Sequence, residues 1–320
     1  MERGSAQSFG YAAAMNSRLS LRARACRQSV RWMLAPIFRA GRSIIVRRRA
    51  LLRVAALTRL PVVPCIKVSA DTLRGVPIEW SVGTHQQARR VLLYFHGGAY
   101  LVGSPSVYRG IAARLAQWAQ ARVACVDYRL APDHRFPAAP DDALDAYRGL
   151  LERGIAARDI VLAGDSAGGG LTLACILKIR DAGLPMPAAL VLLSPWTDLT
   201  LSGASIRDNT SSEILLDPAM LEEAVRDYLG GQDARQVLAS PLFADLHDLP
   251  PMLVQVADGE ILYDDSRRLV ERVQAAGGSA ELSVARNLWH VWQIFAGKMP
   301  EADAALHEIA RFIVRHAHAA

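Results

Sequence analysis

A serine flanked by small residues stands in the stretch Gly164-Asp165-Ser166-Ala167-Gly168, directly after the apolar run Ile160-Val161-Leu162-Ala163. The run is typical of a buried strand, and the residues after Gly168 are typical of the start of a helix. Ser166 is therefore predicted to lie on a tight strand-to-helix turn, the nucleophile elbow, with its hydroxyl exposed above the sheet edge. Such a hydroxyl can attack an ester carbonyl and form a covalent acyl intermediate.

A second motif, His96-Gly97-Gly98-Ala99-Tyr100, follows another strand-like run at residues 90–95. Its small residues let backbone N–H groups point inward. Together with the N–H of the residue after the serine, they are predicted to form an oxyanion hole, which stabilises the negative charge on the attacked carbonyl oxygen. The candidate donors are Gly97, Gly98, Ala99 and Ala167.

A serine hydroxyl needs a histidine to accept its proton and a carboxylate to hold that imidazole in the right tautomer. The expected chain order is nucleophile, acid, histidine, so the base should follow a late strand. His290 follows the strand-like run 280–284 and a short loop, and it is the predicted base. His307 and His316 lie on an amphipathic terminal segment and His318 in a tail, so all three are expected at the surface.

The acid is sought among carboxylates that follow two late strand-like runs. The candidates are Asp198, Asp258, Glu260, Asp264 and Asp265. Asp258 can close a turn with Gly259, and Asp264 or Asp265 can cap a helix that begins near Ser266. Glu260 has no such local role. We therefore rank Glu260 first and Asp258 second.

Short apolar runs alternate with helix-like segments along the chain. The strand-like runs are residues 91–95, 123–126, 160–163, 190–193, 252–256 and 280–284, and the helix-like segments include 107–120, 141–153, 171–182 and 266–276. This alternation predicts an α/β fold with a mostly parallel central sheet and helices on both faces. A chain of 320 residues, 51% of them hydrophobic, can bury one large core of this kind.

Cysteine and histidine usage indicates no metal site and no cofactor. The four cysteines, Cys26, Cys65, Cys125 and Cys175, show no Cys-x-x-Cys spacing and are interpreted as small buried hydrophobes. The eight histidines are scattered, with no His-Glu-x-x-His pattern. No apolar run is long enough to span a bilayer and no secretory signal is evident, so a cytoplasmic location is expected.

Positive charge is concentrated at the amino terminus. Residues 1–60 carry thirteen arginines against Glu2 alone, so this segment has a charge of +12 while the whole chain has +6. One interpretation is a helical cap with its arginines facing water, and a second is contact with an anionic membrane surface. Nucleic acid is not predicted as a partner because no reader motif is present. A homodimer is kept as a further partner hypothesis.

Three more stretches join the two motifs: Asp127 to His134 with Phe136-Pro137-Ala138, Ser194-Pro195-Trp196-Thr197-Asp198-Leu199, and Trp289-His290-Val291-Trp292. Together, over roughly residues 76–316, the chain resembles the hormone-sensitive-lipase group of α/β hydrolases, bacterial esterases with an HGG-type oxyanion loop. The resemblance implies an α/β-hydrolase fold with a helical cap. The cap would be built from the basic segment 1–60 and an insertion at about 198–231 of the catalytic domain 61–320.

The resemblance also implies roles for single residues. Ser166 would be the nucleophile and His290 the base, and the acid would be the first residue of an acid-x-Leu-x-Asp stretch, here Glu260. Two departures from the family pattern stand out. Glutamate replaces the more usual aspartate at 260, and Ala99 stands where a third glycine is usual.

These features predict a serine carboxylesterase. The resemblance implies that its substrate is a small ester with a short to medium acyl chain, or a lactone. Tyr100, Trp196, Trp289 and Trp292 are candidates for the walls of the substrate pocket or, equally, for core packing. Two alternatives remain at this stage. One is a non-catalytic small-molecule sensor on the same scaffold, and the other is a lipase acting at a membrane surface.

Overall fold

The computed structural model describes residues 18–57, 63, 65–84 and 88–317, and it is built around one eight-stranded sheet. The strands are β1 (Ile66–Leu73), β2 (Val76–Gly83), β3 (Val91–Phe95), β4 (Arg122–Val126), β5 (Ile160–Asp165), β6 (Ala189–Leu193), β7 (Met252–Ala257) and β8 (Ala280–Ala285). Their spatial order is β1-β2-β4-β3-β5-β6-β7-β8. From β4 to β8 every neighbouring pair is parallel, whereas β2 runs antiparallel to both β1 and β4.

Helices cover the sheet and connect its parallel strands. They are α1 (Leu21–Ser29), α2 (Ile44–Leu57), α3 (Pro105–Trp118), α4 (Ala138–Glu152), α5 (Ala167–Asp181), α6 (Ser205–Asp208), α7 (Pro218–Leu229), α8 (Tyr263–Ala275) and α9 (Pro300–His316). Every residue of β3, β5, β6 and β7 is buried. Strands buried on both faces are uniformly apolar rather than alternating, as the sequence predicts. The predicted α/β fold class is confirmed.

The hairpin formed by β1 and β2 is absent from the sequence-based prediction. Exposed and partly buried residues alternate along β1, because this strand lies at the edge of the sheet. The turn between the two strands is Arg74-Gly75, with φ of 49° and 84°. Two successive positive φ values fit the tight hairpin turns whose twist matches that of the strands.

The basic segment packs on the rest of the protein in the part that the structure describes, residues 18–57. Short helical turns at Val30–Leu34 and Ala35–Phe38 join α1 to the chain that leads into α2. Most of its arginines are exposed, but Arg47 is only 3% exposed and binds Glu223 of α7 at 3.0 Å. The first 17 residues of the segment lie outside the described residues.

The cysteines are only partly as predicted. Cys125 and Cys175 are buried, as expected for small hydrophobes, and Cys26 is partly buried. Cys65 is exposed, which corrects the prediction for that residue. It directly precedes β1, the strand at the edge of the sheet.

Candidate active site

Ser166 lies between β5 and α5, on a strained turn with φ 52° and ψ −123°. Two glycines make this turn sterically feasible. A Cβ at Gly164 would lie 2.2 Å from the carbonyl oxygen of Gly168, and a Cβ at Gly168 would lie 2.0 Å from that of Phe95. The turn therefore requires glycine at both positions, and it places the serine at the carboxyl end of a central strand.

His290 and Glu260 form a buried pair. His290 Nδ1 is 2.7 Å from Glu260 Oε2, with the two residues 2% and 0% exposed. Glu260 follows β7 and His290 follows β8, and the carboxyl ends of neighbouring parallel strands meet at one edge of the sheet. His290 Nε2 is buried and has no hydrogen-bond partner among the described residues, so it is left to accept a proton.

Ser194, the first residue after β6, also belongs to this site. Its hydroxyl donates to Glu260 Oε1 at 2.8 Å and accepts from the backbone N–H of Val291 at 3.3 Å. The N–H of Ala257 donates to the same carboxylate oxygen at 2.6 Å. Sequence reasoning gave Ser194 no role, although its position at the end of a strand next to β7 was a usable signal.

The second-ranked acid, Asp258, does not contact His290. It is exposed, and its Oδ1 accepts from the N–H of Asn287 at 2.9 Å. Asp198 is buried elsewhere and pairs with Arg268 at 3.0 Å. Both carboxylates therefore hold loops together.

Asp264 and Asp265 do not cap a helix near Ser266, because α8 begins earlier, at Tyr263. Their carboxylates accept instead from backbone N–H groups of the chain after β6. Asp264 Oδ2 lies 3.0 Å from the nitrogen of Ser205, and Asp265 Oδ2 lies 2.7 Å from that of Thr197. Of the five candidate acids, the structure thus places Glu260 alone against the imidazole.

The predicted oxyanion donors require one correction. The N–H of Gly97 already donates to Asp165 Oδ1 at 2.9 Å, so it is not available to a substrate. The N–H groups of Gly98, Ala99 and Ala167 have no acceptor among the residues that the structure describes. Gly98 and Ala99 have positive φ values of 123° and 55°, which turn the loop back on itself.

The contacts of Asp165 explain why the N–H of Gly97 is not available as an oxyanion donor. This buried carboxylate also accepts from the hydroxyls of Tyr94 and Tyr108, both at 2.9 Å. Burial raises the pKa of Asp165 to about 6, although these hydrogen bonds act to lower it. Asp165, the residue before Ser166, therefore anchors the loop that carries Gly98 and Ala99. Sequence reasoning quoted Asp165 in the motif without giving it this role.

The electrostatic surroundings of His290 favour its protonated form. Burial alone lowers the imidazole pKa, but the hydrogen bond and charge of Glu260 raise it, as do the charges of Glu213 and Asp165. The net result is a raised pKa. A positive charge on this imidazole is therefore stabilised by its surroundings.

Glu213 is a second carboxylate on this side of His290, and it comes from the chain between α6 and α7. Its Oε1 accepts from the N–H groups of Ile214 and Leu215 at 2.9 and 2.8 Å. Its Oε2 accepts at 3.3 Å from Ile261, the residue directly after Glu260. Burial raises the pKa of Glu213, and the nearby His290 lowers it. The sequence offers no spacing that marks this residue.

The aromatic pocket candidates are packed in the interior. Tyr100 is 1% exposed and stacks on Tyr228 with ring centroids 3.9 Å apart. Trp196 is 1% exposed, and Trp289 and Trp292 are 2% and 3% exposed. This geometry favours the core-packing interpretation for all four candidates.

An apolar cavity of about 400 Å³ lies between the amino-terminal helical segment and α3. Its walls include Leu51, Val107 and Phe295. None of Ser166, His290 and Glu260 lines it.

Within the described ranges, no group of three or more histidine, cysteine, aspartate or glutamate side chains is arranged to hold a metal ion. In the same part of the chain, no helix is both long and apolar enough to cross a membrane.

The known proteins that this chain resembles are α/β hydrolases and esterases. A family model for the alpha/beta hydrolase fold matches residues 92–294. An acetyl-hydrolase of Streptomyces hygroscopicus is 43% identical over 235 residues, which cover 73% of this chain and 78% of that protein. An esterase of Acinetobacter venetianus is 38% identical over 78% of this chain and 82% of its own length. The crystal structure of an esterase from the bacterial hormone-sensitive lipase family gives a TM-score of 0.89 at 36% identity, covering 94% of this chain and 100% of that one.

Proposed function

The chain belongs to the α/β-hydrolase family, in its hormone-sensitive-lipase group of esterases, and from this membership we propose that it is a serine carboxylesterase working through an acyl-enzyme. The observation that carries the proposal is the buried pair of His290 and Glu260, 2.7 Å apart, with Nε2 of the imidazole left without a partner among the described residues. Ser166 on its strained turn is the nucleophile that this pair serves.

In the acylation step, the Ser166 hydroxyl attacks the ester carbonyl and its proton passes to His290 Nε2. The resulting imidazolium keeps its Nδ1–H directed at Glu260, whose charge stabilises it. The N–H groups of Gly98, Ala99 and Ala167 stabilise the oxyanion. The proton on Nε2 then moves to the alcohol oxygen, the carbon–oxygen bond breaks, and the acyl group stays on the serine.

Deacylation repeats these proton movements with water. His290 takes a proton from a water molecule as that water attacks the acyl carbonyl. The same three N–H groups hold the second oxyanion. The serine oxygen leaves with the proton from Nε2, and the carboxylic acid is released.

Small esters with short to medium acyl chains are the proposed substrates. Ser166 is only 8% exposed, which favours ligands that enter a narrow site over emulsified lipids. The relative from Streptomyces hygroscopicus is called an acetyl-hydrolase, which supports the short end of this range. Lactones contain the same reacting ester group and are included in the proposal.

The amino-terminal helices and the insertion at about 198–231 are proposed to form the cap of the site. Two contacts support this. Arg47 of α2 binds Glu223 of α7, and Arg48 Nε donates to the carbonyl of Leu101, just after the oxyanion loop. A cap in this position would limit the size of the substrate and exclude water.

The test is a panel of p-nitrophenyl esters from acetate to laurate, with a lactone and an anilide, assayed on wild-type protein and Ser166→Ala. We expect the highest kcat/KM at acetate to butyrate, and a loss of about a thousandfold or more in Ser166→Ala. Ser279→Ala is the matched control, because Ser279 is an exposed serine outside the site. Ester hydrolysis that survives in Ser166→Ala would overturn the proposal.

A further inference from the structure

The outward face of α2 is unusual for a surface helix because its exposed positions are largely apolar. Four large apolar side chains face solvent there: Ile45 (57% exposed), Val46 (53%), Leu52 (48%) and Leu57 (80%). Arg49 and Arg53 are exposed among them. The spacing of these six residues follows the period of a helix, so they form one stripe. We call them the outward stripe.

The helical stretch that precedes α2 exposes side chains of the same kind. Leu21 is 80% exposed, Trp32 is 79% exposed and Met33 is 36% exposed. Seven of the ten large apolar side chains that are exposed in the described residues therefore lie within residues 18–57. Apolar surface concentrated in this way marks an interaction site rather than ordinary surface composition.

The outward stripe belongs to a helix whose other side is firmly attached. Arg47 is buried, binds Glu223 and donates to the carbonyl of Arg39 at 2.8 Å. Arg48 donates to the carbonyls of Leu101 and Ala131 at 2.9 and 2.8 Å. The inner face of α2 is thus fixed by these polar contacts and by Leu51, which is buried in the core, and further large apolar side chains are presented outward. In the usual amphipathic surface helix only the inner face is apolar and the outward face is polar.

The charge of residues 18–57 indicates which kind of partner this face would bind. Residues 18–57 contain eleven arginines and no aspartate, glutamate or lysine. A surface with this charge is attracted to an anionic layer, and arginine side chains can extend towards phosphate while their stems lie among apolar groups. A twofold contact between two copies of this face would place eleven arginines opposite the same eleven, and like charges across an interface oppose association.

We propose that residues 18–57 form a docking face for an anionic lipid bilayer, with the outward stripe inserted at the level of the headgroups. Leucine, isoleucine and tryptophan supply the apolar contact, and the interspersed arginines bind lipid phosphate. The protein would be held on the surface of the bilayer without crossing it. The proposal is independent of the chemistry at Ser166.

The test is vesicle flotation of the full chain carrying Ser166→Ala, so that no lipid ester is hydrolysed. Vesicles of phosphatidylcholine alone are compared with vesicles containing about a third phosphatidylglycerol, at low salt and at about 0.5 M NaCl. We expect binding to the anionic vesicles that falls at least about tenfold at high salt, and little binding to the neutral ones.

Two sets of variants separate the apolar and the charged contributions. Leu52→Ser with Leu57→Ser should reduce binding about tenfold or more, because two leucines no longer enter the bilayer. Arg49→Gln with Arg53→Gln should reduce binding to anionic vesicles about tenfold and leave neutral vesicles unchanged. Val237→Ser is the matched control, since Val237 is 46% exposed but lies outside this face, and it should change binding less than twofold. Unchanged thermal unfolding verifies that each variant is folded.

Several outcomes would overturn the proposal. Equal flotation with neutral and anionic vesicles would show that the arginine charge does not drive binding. Flotation of the double leucine variant at the wild-type level would show that the outward stripe does not insert into the bilayer. Absence of flotation, together with a dimer in solution that Leu52→Ser disrupts, would assign the face to a contact between copies of this chain.

Discussion

The carboxylate that binds His290 belongs to Glu260. Its side chain is one methylene longer than that of the aspartate that is usual at this position in the hormone-sensitive-lipase group. Longer side chains have more rotamers to lose, so a catalytic glutamate must be held in place. Ser194 and the N–H of Ala257 do this by donating to one carboxylate oxygen, which leaves the other oxygen to the imidazole at 2.7 Å. The geometry therefore supports Glu260 as the acid of the proposed triad.

Exchange of the acid should separate the two highest-ranked candidates. We expect Glu260→Gln to lower kcat by about two to four orders of magnitude, because an uncharged amide neither stabilises the imidazolium nor fixes its tautomer. Asp258→Asn should stay within about threefold of wild type, since this exposed carboxylate only accepts from Asn287. Steady-state kinetics on p-nitrophenyl acetate measure kcat for both variants. The reverse ranking would move the acid to Asp258.

Glu213 gives a prediction about pH. His290 must be neutral to act as a base, so kcat/KM rises with pH through its pKa, which the structure raises above the ordinary value. Glu213→Gln removes one of the three carboxylates that raise it. The acidic limb of the pH profile should then move to lower pH, while kcat falls about tenfold.

Controls for this prediction separate charge from structure. Glu213→Asp keeps the charge and should leave the acidic limb in place even if kcat falls. Glu222→Gln removes an exposed carboxylate of α7 and should change neither quantity. An acidic limb that stays fixed in Glu213→Gln would show that Glu213 acts only as a structural residue.

Individual site residues differed in how far the sequence could predict them. The places of Ser166 and His290 in the fold, each after a strand, were predictable because apolar runs mark the strand ends. The direction of a single N–H group cannot be predicted from the sequence. The N–H of Gly97 is therefore predicted to lie in the oxyanion hole, whereas in the structure it donates to Asp165. Glu213 was missed for a related reason. Its contact with the turn after Glu260 joins residues 48 positions apart, and no local pattern encodes it.

At the scale of elements, the turn between β5 and α5 depends on close backbone approach. Gly168→Ala would place a Cβ 2.0 Å from the carbonyl oxygen of Phe95, which can only be relieved by moving β3 or α5. We expect a loss of about 3 kcal/mol or more in the free energy of unfolding, and loss of activity. Urea denaturation measures the first quantity.

Gly110→Ala is the matched control for that turn. Gly110 lies in the interior of α3, is exposed, and the nearest atom to its added Cβ would be 3.9 Å away. Alanine is a better helix former than glycine, so this variant should gain about 0.5 to 1 kcal/mol. Equal stabilities for the two variants would contradict the packing argument.

Elements buried on both faces were the easiest to predict. The strands β3, β5, β6 and β7 are short apolar runs bounded by turns, and burial leaves them no polar face. The hairpin of β1 and β2 was missed because an edge strand is half exposed and its composition resembles that of a loop. Helix ends were displaced by a few residues. The start of α8 at Tyr263, ahead of the expected Ser266, is one example.

At the scale of the whole molecule, the amino-terminal helices are joined to α7 by a partly buried ion pair. Arg47 is 3% exposed and binds Glu223, which is itself 21% exposed. Arg47→Ala should lower the free energy of unfolding by about 1 to 3 kcal/mol, because Glu223 and the carbonyl of Arg39 each lose a donor. Arg49→Ala, at an exposed position, should change it by less than about 0.5 kcal/mol. Equal effects in thermal unfolding would contradict this contact.

The whole molecule also shows what composition can and cannot predict. The concentration of arginine in residues 1–60 indicated a distinct segment, but not which arginines face inward. Arg47 and Arg48 bind the rest of the protein, whereas apolar residues such as Leu57 face solvent. Helical periodicity alone does not specify this orientation, because it depends on which polar partners the neighbouring elements offer.

Covalent labelling of Ser166 tests the central claim most directly. A fluorophosphonate reacts with a serine only when a neighbouring base activates its hydroxyl. We predict one adduct per chain, located on Ser166 by peptide mass spectrometry, strongly slowed in Glu260→Gln and absent in Ser166→Ala. An unlabelled Ser166 in protein that still hydrolyses p-nitrophenyl acetate would contradict the account.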